Sequence, residues 1–184
     1  MKNPIKKVWT ILSLVLLFGS AHLPPKSLEN TRKIQDLNNT VILLSLDGFR
    51  SDYMERFKPL HLTSFAKAGA MARELRPVFP SLTFPNHYTI VTGLYAENHG
   101  IIGNVMKDPG IPGIFTLSDQ SAVRDSRWWG GEPLWVSVVK QGQKSATMFW
   151  PGSEAEIQGH RPSYWRYYDG KVSGEARVAQ AMKW

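Results

Sequence analysis

Residues 40–46, TVILLSL, form a near-continuous apolar run, too short for a typical helix and ending at the turn pair Asp47-Gly48. Such a run predicts a strand buried on both faces, as in a parallel sheet covered by helices. Downstream, Leu62, Phe65, Ala66 and Gly69 recur at helical spacing and predict a helix over 60–70, with Gly69 as its stop. The stretch MARELRPVFP (71–80) reads as a short second strand closed by Pro77 and Pro80. Helical spacing returns with Tyr88, Ile90, Val91 and Leu94, after Pro85 at a first-turn position. GLYAENHGIIGN (93–104) reads as a glycine-punctuated loop. Residues 132–141 predict a further helix, and KSATMFW (144–150) a further buried strand.

Strands alternating with helices predict an α/β fold: a mainly parallel central sheet flanked by helices. Neither an internal repeat nor a low-complexity segment interrupts it.

The first 39 residues follow a different pattern. Lys2, Lys6 and Lys7 precede about a dozen mostly apolar residues that end in Gly19, Ser20 and Ala21. This is the layout of an export signal over residues 1–21, cut after its small residues. The alternative is a retained anchor, for which the apolar stretch is short against the ~20 residues a spanning helix needs. Residues 22–39 are polar and read as a linker. The expected location is therefore periplasmic or extracellular, with no membrane span once the signal is removed.

The 184 residues suffice for one domain with a sizeable core, and 42% hydrophobic with 20% charged residues excludes a largely disordered chain. Loss of residues 1–21 lowers the formal charge from +7 to +4. Without a basic stripe bearing interleaved aromatics, nucleic acid is not expected as a structural partner. The chain has no cysteine, so disulfides and thiolate metal sites are excluded. Any metal must be held by carboxylate, imidazole or hydroxyl groups.

Ligands of open parallel sheets sit beyond the carboxyl ends of the strands, which is where Asp47 falls. An aspartate there is either a turn residue or a rigid oxygen donor to a metal such as zinc. Thr83 precedes the helix that contains Pro85. It reads either as an N-cap, worth about 1 kcal/mol, or as a nucleophile that a metal would activate. A helix N-terminus also favours a phosphate group, so the two readings share one place. Asn86 and His87 are near enough to reach it, although His87 suits simple packing on the helix face. Asn104, after the HGIIG loop, reads either as a turn former or as an amide donor to a developing oxyanion.

Three stretches taken together, LLSLDGFRSDYM, PSLTFPNHYTIVTGLYAENHGIIGN and MFWPGSEAEI, resemble the nucleotide pyrophosphatase/phosphodiesterase family of the alkaline phosphatase superfamily. The likeness runs from about Val41 to Tyr168. It implies an alkaline-phosphatase-like domain that hydrolyses phosphodiester and pyrophosphate bonds with two zinc ions and a threonine nucleophile. On that resemblance Asp47 is a metal ligand, and Thr83 is both nucleophile and ligand to the same ion. Asn104 would donate to a nonbridging phosphate oxygen. Phe84 and Tyr168 would sandwich a nucleotide base, and Leu117 would line that pocket. The implied partner is a nucleotide or nucleotide ester.

The chain departs from the family pattern in one respect. His22, His61, His87, His99 and His160 do not match the positions of the family's remaining metal ligands, so the second ion's ligands are absent. The sequence closes in SGEARVAQAMKW, which reads as mid-helix, and the sheet is expected to be incomplete. The 184 residues are thus expected to hold the N-terminal portion of a catalytic domain over 40–184, inactive by itself. Two alternatives stand beside this: a relative acting on non-nucleotide esters, and a non-catalytic binding module.

Overall fold

We describe the fold from a computed structural model, whose described residues are 40–184. The export signal and linker expected over residues 1–39 lie outside them.

The element that organises the rest is a helix, Thr83–Thr92, numbered α3 after α1 (Tyr53–Phe57) and α2 (Leu60–Ala68). Pro85, Tyr88 and Val91 repeat every third residue and bury one face of α3. Gly93 ends the helix in the left-handed region at φ 68°, and its N–H donates to the Thr89 carbonyl at 2.8 Å. The expected loop that follows contains one further turn of helix, α4 (Ala96–His99).

A hairpin comes next. Strands β1 (Val105–Asp108) and β2 (Ile111–Thr116) pair antiparallel, with Val105 opposite Thr116, Met106 opposite Phe115 and Asp108 opposite Ile111. The Asp108-Pro109-Gly110 sequence makes the turn, where Asp108 Oδ1 accepts from the Gly110 N–H at 2.7 Å. The opposed pair Met106 and Phe115 faces inward and is buried. Helix α5 (Gln120–Arg124), a 3-10 turn (Ser126–Trp128) and α6 (Leu134–Lys140) follow.

Their buried side chains close one aromatic-rich core: Tyr88, Phe115, Trp128, Trp129 and Trp135, filled in by Ile101, Val136 and Ile157. Trp129 is central, with its ring centroid 4.9 Å from that of Tyr88 and 5.7 Å from that of Phe115. Its indole N–H donates to the Val123 carbonyl at 2.9 Å, so burial leaves no orphaned donor there.

Several expectations about the sheet do not hold in the described residues. Residues 40–46 form neither helix nor strand, and Val41 and Leu44 are 91% and 72% exposed. A strand of that kind needs ladder neighbours on its edges and helices over its faces, and the described residues supply neither. Residues 71–80 likewise form no strand. The strand expected over 144–150 reduces to β3 (Ala146–Thr147), paired parallel with β4 (Tyr164–Trp165). Among the described residues the strands form two two-stranded sheets, one antiparallel and one parallel, and these do not make up a mainly parallel central sheet.

The helices fare better. The helix expected over 60–70 is α2, two residues shorter, and that over 132–141 is α6, which begins after Pro133. The closing segment is helix α7 (Gly174–Ala181), capped by Ser173, whose hydroxyl accepts from the Ala176 N–H. Among the described residues no helix is long and apolar enough to cross a membrane.

Candidate active site

Thr83 is the first residue of α3, and the N-cap position belongs to Leu82, which supplies no side-chain cap. The Thr83 hydroxyl turns away from the helix and donates to Asp47 Oδ2 at 3.1 Å across 36 residues of chain. The capping reading of Thr83 therefore fails. Asn104 does the capping instead: its Oδ1 accepts from the Phe84 N–H at 3.0 Å. That bond fixes the amide's orientation. It leaves Nδ2, which has no protein partner among the described residues, as the group free to donate to a ligand.

The segment carrying Asp47 is tied to α3 a second time. A carbonyl can only accept, so His87 Nδ1 carries the proton that it donates to the Thr83 carbonyl at 2.8 Å. Nε2 of the same ring meets the Ser45 hydroxyl at 2.9 Å. Trp150 donates its indole N–H to the His87 carbonyl at 3.0 Å, and the two rings meet edge to face. His87 is thus a strut between the Asp47 segment and the helix, a role richer than the packing expected of it.

Asn86 does not reach the site. Its Oδ1 accepts from the Val78 N–H at 2.7 Å, and its Nδ2 donates to the Pro80 and Leu82 carbonyls, both at 2.9 Å. These bonds pin the loop that delivers the chain into α3. Two buried titratable groups lie close by, Tyr88 on the buried face of α3 and His99 on α4. His99 Nδ1 accepts from the Ile101 N–H and its Nε2 meets the Thr89 hydroxyl, while burial holds its imidazole below the ordinary value. Burial likewise pushes the Tyr88 phenol up, and its hydroxyl donates to the Gly130 carbonyl at 2.9 Å.

Three residues are expected around a base: Phe84, Leu117 and Tyr168. Phe84 is half-buried and rests edge-on against Phe115, with ring centroids 5.9 Å apart, and against Trp129. Leu117 stays exposed, and its N–H donates to the Asn104 carbonyl at 3.0 Å, which places it beside the site. Tyr168 is 54% exposed and meets Phe149 edge to face at 5.3 Å. No ring contact joins Phe84 to Tyr168 among the described residues, as two rings that receive a base between them require.

Asp47 Oδ2 and Thr83 Oγ1 are two hard oxygen donors 3.1 Å apart, close enough to share one ion whose oxygen contacts run about 2.0–2.2 Å. Asp47 is exposed, so its remaining lone pairs are open to such an ion. The two residues fit part of one zinc shell. Among the described residues no three of His, Asp and Glu gather to complete it. Three groups around the site gave no recognisable signal in the sequence: Ser45, Arg124 and Glu154. Glu154 shares the mostly apolar MFWPGSEAEI with a second acid, Glu156, and nothing local distinguishes the two.

Residues 41–184 match the family described as Type I phosphodiesterase / nucleotide pyrophosphatase. The chain belongs to that family. Over 146 residues it is 47% identical to a venom phosphodiesterase of Naja atra, covering 78% of this chain and 18% of that protein. Over 145 residues it is 44% identical to ectonucleotide pyrophosphatase/phosphodiesterase family member 1 of Homo sapiens, covering 78% and 16%. A solved structure of murine ectonucleotide pyrophosphatase / phosphodiesterase 5, an inactive threonine-to-alanine variant in complex with AMP, superposes with a TM-score of 0.72 at 38% identity. That match covers 76% of this chain and 37% of the murine one. The chain thus spans less than a fifth of the length of these two sequence relatives. Its fold is that of the corresponding part of a phosphodiesterase domain of this family.

Proposed function

We propose that the complete catalytic domain to which residues 40–184 contribute hydrolyses nucleotide phosphodiester or pyrophosphate bonds through a covalent nucleotidyl-threonine at Thr83. The observation that carries this reading is the Thr83 hydroxyl, freed from capping and directed at the Asp47 carboxylate at the start of α3. The inactive threonine-to-alanine relative that holds AMP supports both the residue type and the ligand class.

Asp47 and Thr83 would hold one of two zinc ions, and ligands for the second come from outside this chain. Zinc bound there would ease loss of the hydroxyl proton and withdraw charge from the phosphoryl group. The Thr83 oxygen forms a bond to phosphorus while the bond from phosphorus to the leaving alcohol or phosphate breaks. Its hydroxyl proton is released to solvent water, and the departing oxygen is protonated from water in turn. Water then attacks the same phosphorus, releases the nucleoside monophosphate and restores the hydroxyl.

The N-terminus of α3 favours the negative charge of the phosphate, and Asn104 Nδ2 donates to a nonbridging oxygen. Phe84 and Tyr168 receive the base, with Leu117 on the pocket wall. Base–aromatic stacking is worth about 1–3 kcal/mol per base. In the complete domain, residues 40–46 become the first strand of a mainly parallel central sheet, and their exposed apolar side chains are buried there. Relatives named as venom and ecto-enzymes support export, with residues 1–21 as the signal.

Thr83→Ala and Thr83→Ser in the complete domain test the reading. Alanine is expected to abolish hydrolysis of a nucleotide ester with the folded fraction unchanged, and serine to retain part of it. Near-parental turnover by the alanine variant would remove Thr83 from the chemistry.

A further inference from the structure

We infer that Glu154 is a positioning residue for Tyr168, set by the Arg124–Glu154 pair to present that ring to the base. The inference rests on the reading of Tyr168 as half of the base pair. Glu154 is only 6% exposed, and both carboxylate oxygens are used. Oε2 accepts from Arg124 Nε at 3.1 Å, and Oε1 accepts from the Tyr168 N–H at 2.8 Å. The Arg124 guanidinium in turn lies over the Tyr167 ring, 3.7 Å from its centroid. One ion pair therefore grips two consecutive tyrosines, the first by its ring and the second by its backbone.

Burying a carboxylate costs free energy unless its partners replace water. Here one of those partners is the backbone of an exposed residue, so the core gains no packing from the arrangement. What it gains is order at Tyr168. Tyr168 is 54% exposed, its ring meets Phe149 edge to face, and the Arg177 guanidinium lies over the ring, 6.0 Å from the centroid. An aromatic ring fixed before the ligand arrives loses less freedom on binding, which raises affinity without touching the chemical step. Arg124 and Glu154 are 30 residues apart, on α5 and in the segment after β3, so they also tie the tyrosine loop to the core.

The test compares Glu154→Ala, Glu154→Gln and Tyr168→Ala in the complete catalytic domain. The substrates are a nucleotide p-nitrophenyl ester and methyl p-nitrophenyl phosphate, which has no base. Glu154→Ala is expected to raise KM for the nucleotide ester roughly tenfold, about the loss of one stacking contact, with kcat unchanged. The base-free ester should show no change. Glu154→Gln, which keeps an acceptor oxygen for the Tyr168 N–H, should recover part of the loss, and it covers the case in which alanine fails to fold. Combined with Tyr168→Ala, Glu154→Ala should raise KM no further. Hydrogen exchange at the Tyr168 amide should quicken in Glu154→Ala. Equal losses on both substrates, or unaltered exchange at Tyr168, would overturn the inference. If Tyr168→Ala leaves nucleotide KM unchanged, the base reading fails by itself, and the exchange rate still decides whether Glu154 holds Tyr168.

Discussion

Replacing Gly152 with alanine tests how tightly the segment around Trp150 and Glu154 is fitted to the core. Gly152 is buried at φ +90°, and a Cβ there would stand 3.0 Å from two atoms of the Trp129 ring and 3.1 Å from Tyr88. Both rings are themselves buried and cannot swing clear. Two costs add. A left-handed backbone on a residue with a Cβ costs about 1–2 kcal/mol, and overpacking a filled core costs about 1–3 kcal/mol. Gly142 separates them, because it has φ +77° and nothing within 4 Å of its would-be Cβ. Gly142→Ala should therefore lose about 1–2 kcal/mol and Gly152→Ala about 2–5 kcal/mol. Urea unfolding followed by tryptophan fluorescence reads both. With a slope of about 1–3 kcal/mol per molar, the gap should separate the midpoints by roughly 1 M. Coincident midpoints for the two variants would refute the close approach of this segment to Trp129.

Three further outcomes follow from the same geometry. His99 is buried neutral with its pKa held below 6.5, so the folded state binds fewer protons than the unfolded one. Its contribution is complete above about pH 6.5 and is lost as pH falls below it, so acid unfolding followed by circular dichroism should be shallower in His99→Gln. His87→Ala removes the bonds to Ser45 and to the Thr83 carbonyl and should cost about 1–3 kcal/mol. Hydrogen exchange should then quicken over residues 45–47 and remain unchanged in the β1–β2 hairpin. Phe84→Ala should both raise nucleotide KM and lower stability by about 1–2 kcal/mol, because the half-buried ring also packs on Phe115 and Trp129. An unshifted thermal midpoint would deny it that second role.

What could be read in the sequence was what local chemistry determines. The α3 helix rests on its own periodicity, whereas the convergence of Asp47 with Thr83 came only from the family resemblance; the structure brings those two residues within a hydrogen bond. The choice between cap and nucleophile at Thr83 stays open in the sequence, because only the tertiary fold brings Asn104 to the helix start to accept from the Phe84 N–H. The strand over 40–46 depends on neighbours distant in sequence. Without them an apolar run has no ladder to join, and propensity alone does not make a strand. The β1–β2 hairpin has a turn signal in Asp108-Pro109-Gly110, but its short strands show too little alternation to mark them as strands. Glu154 was invisible for a different reason. One of two acids in a mostly apolar stretch says nothing of a partner 30 residues upstream.

The covalent step at Thr83 is tested most directly by trapping it. The complete catalytic domain, mixed with a nucleotide ester and quenched in acid during turnover, should gain the mass of one nucleotidyl group. Peptide mapping should place that mass on Thr83, and Thr83→Ala should gain none. A quenched enzyme that turns over without any adduct, or an adduct on a residue other than Thr83, would contradict the assignment of Thr83 as the nucleophile.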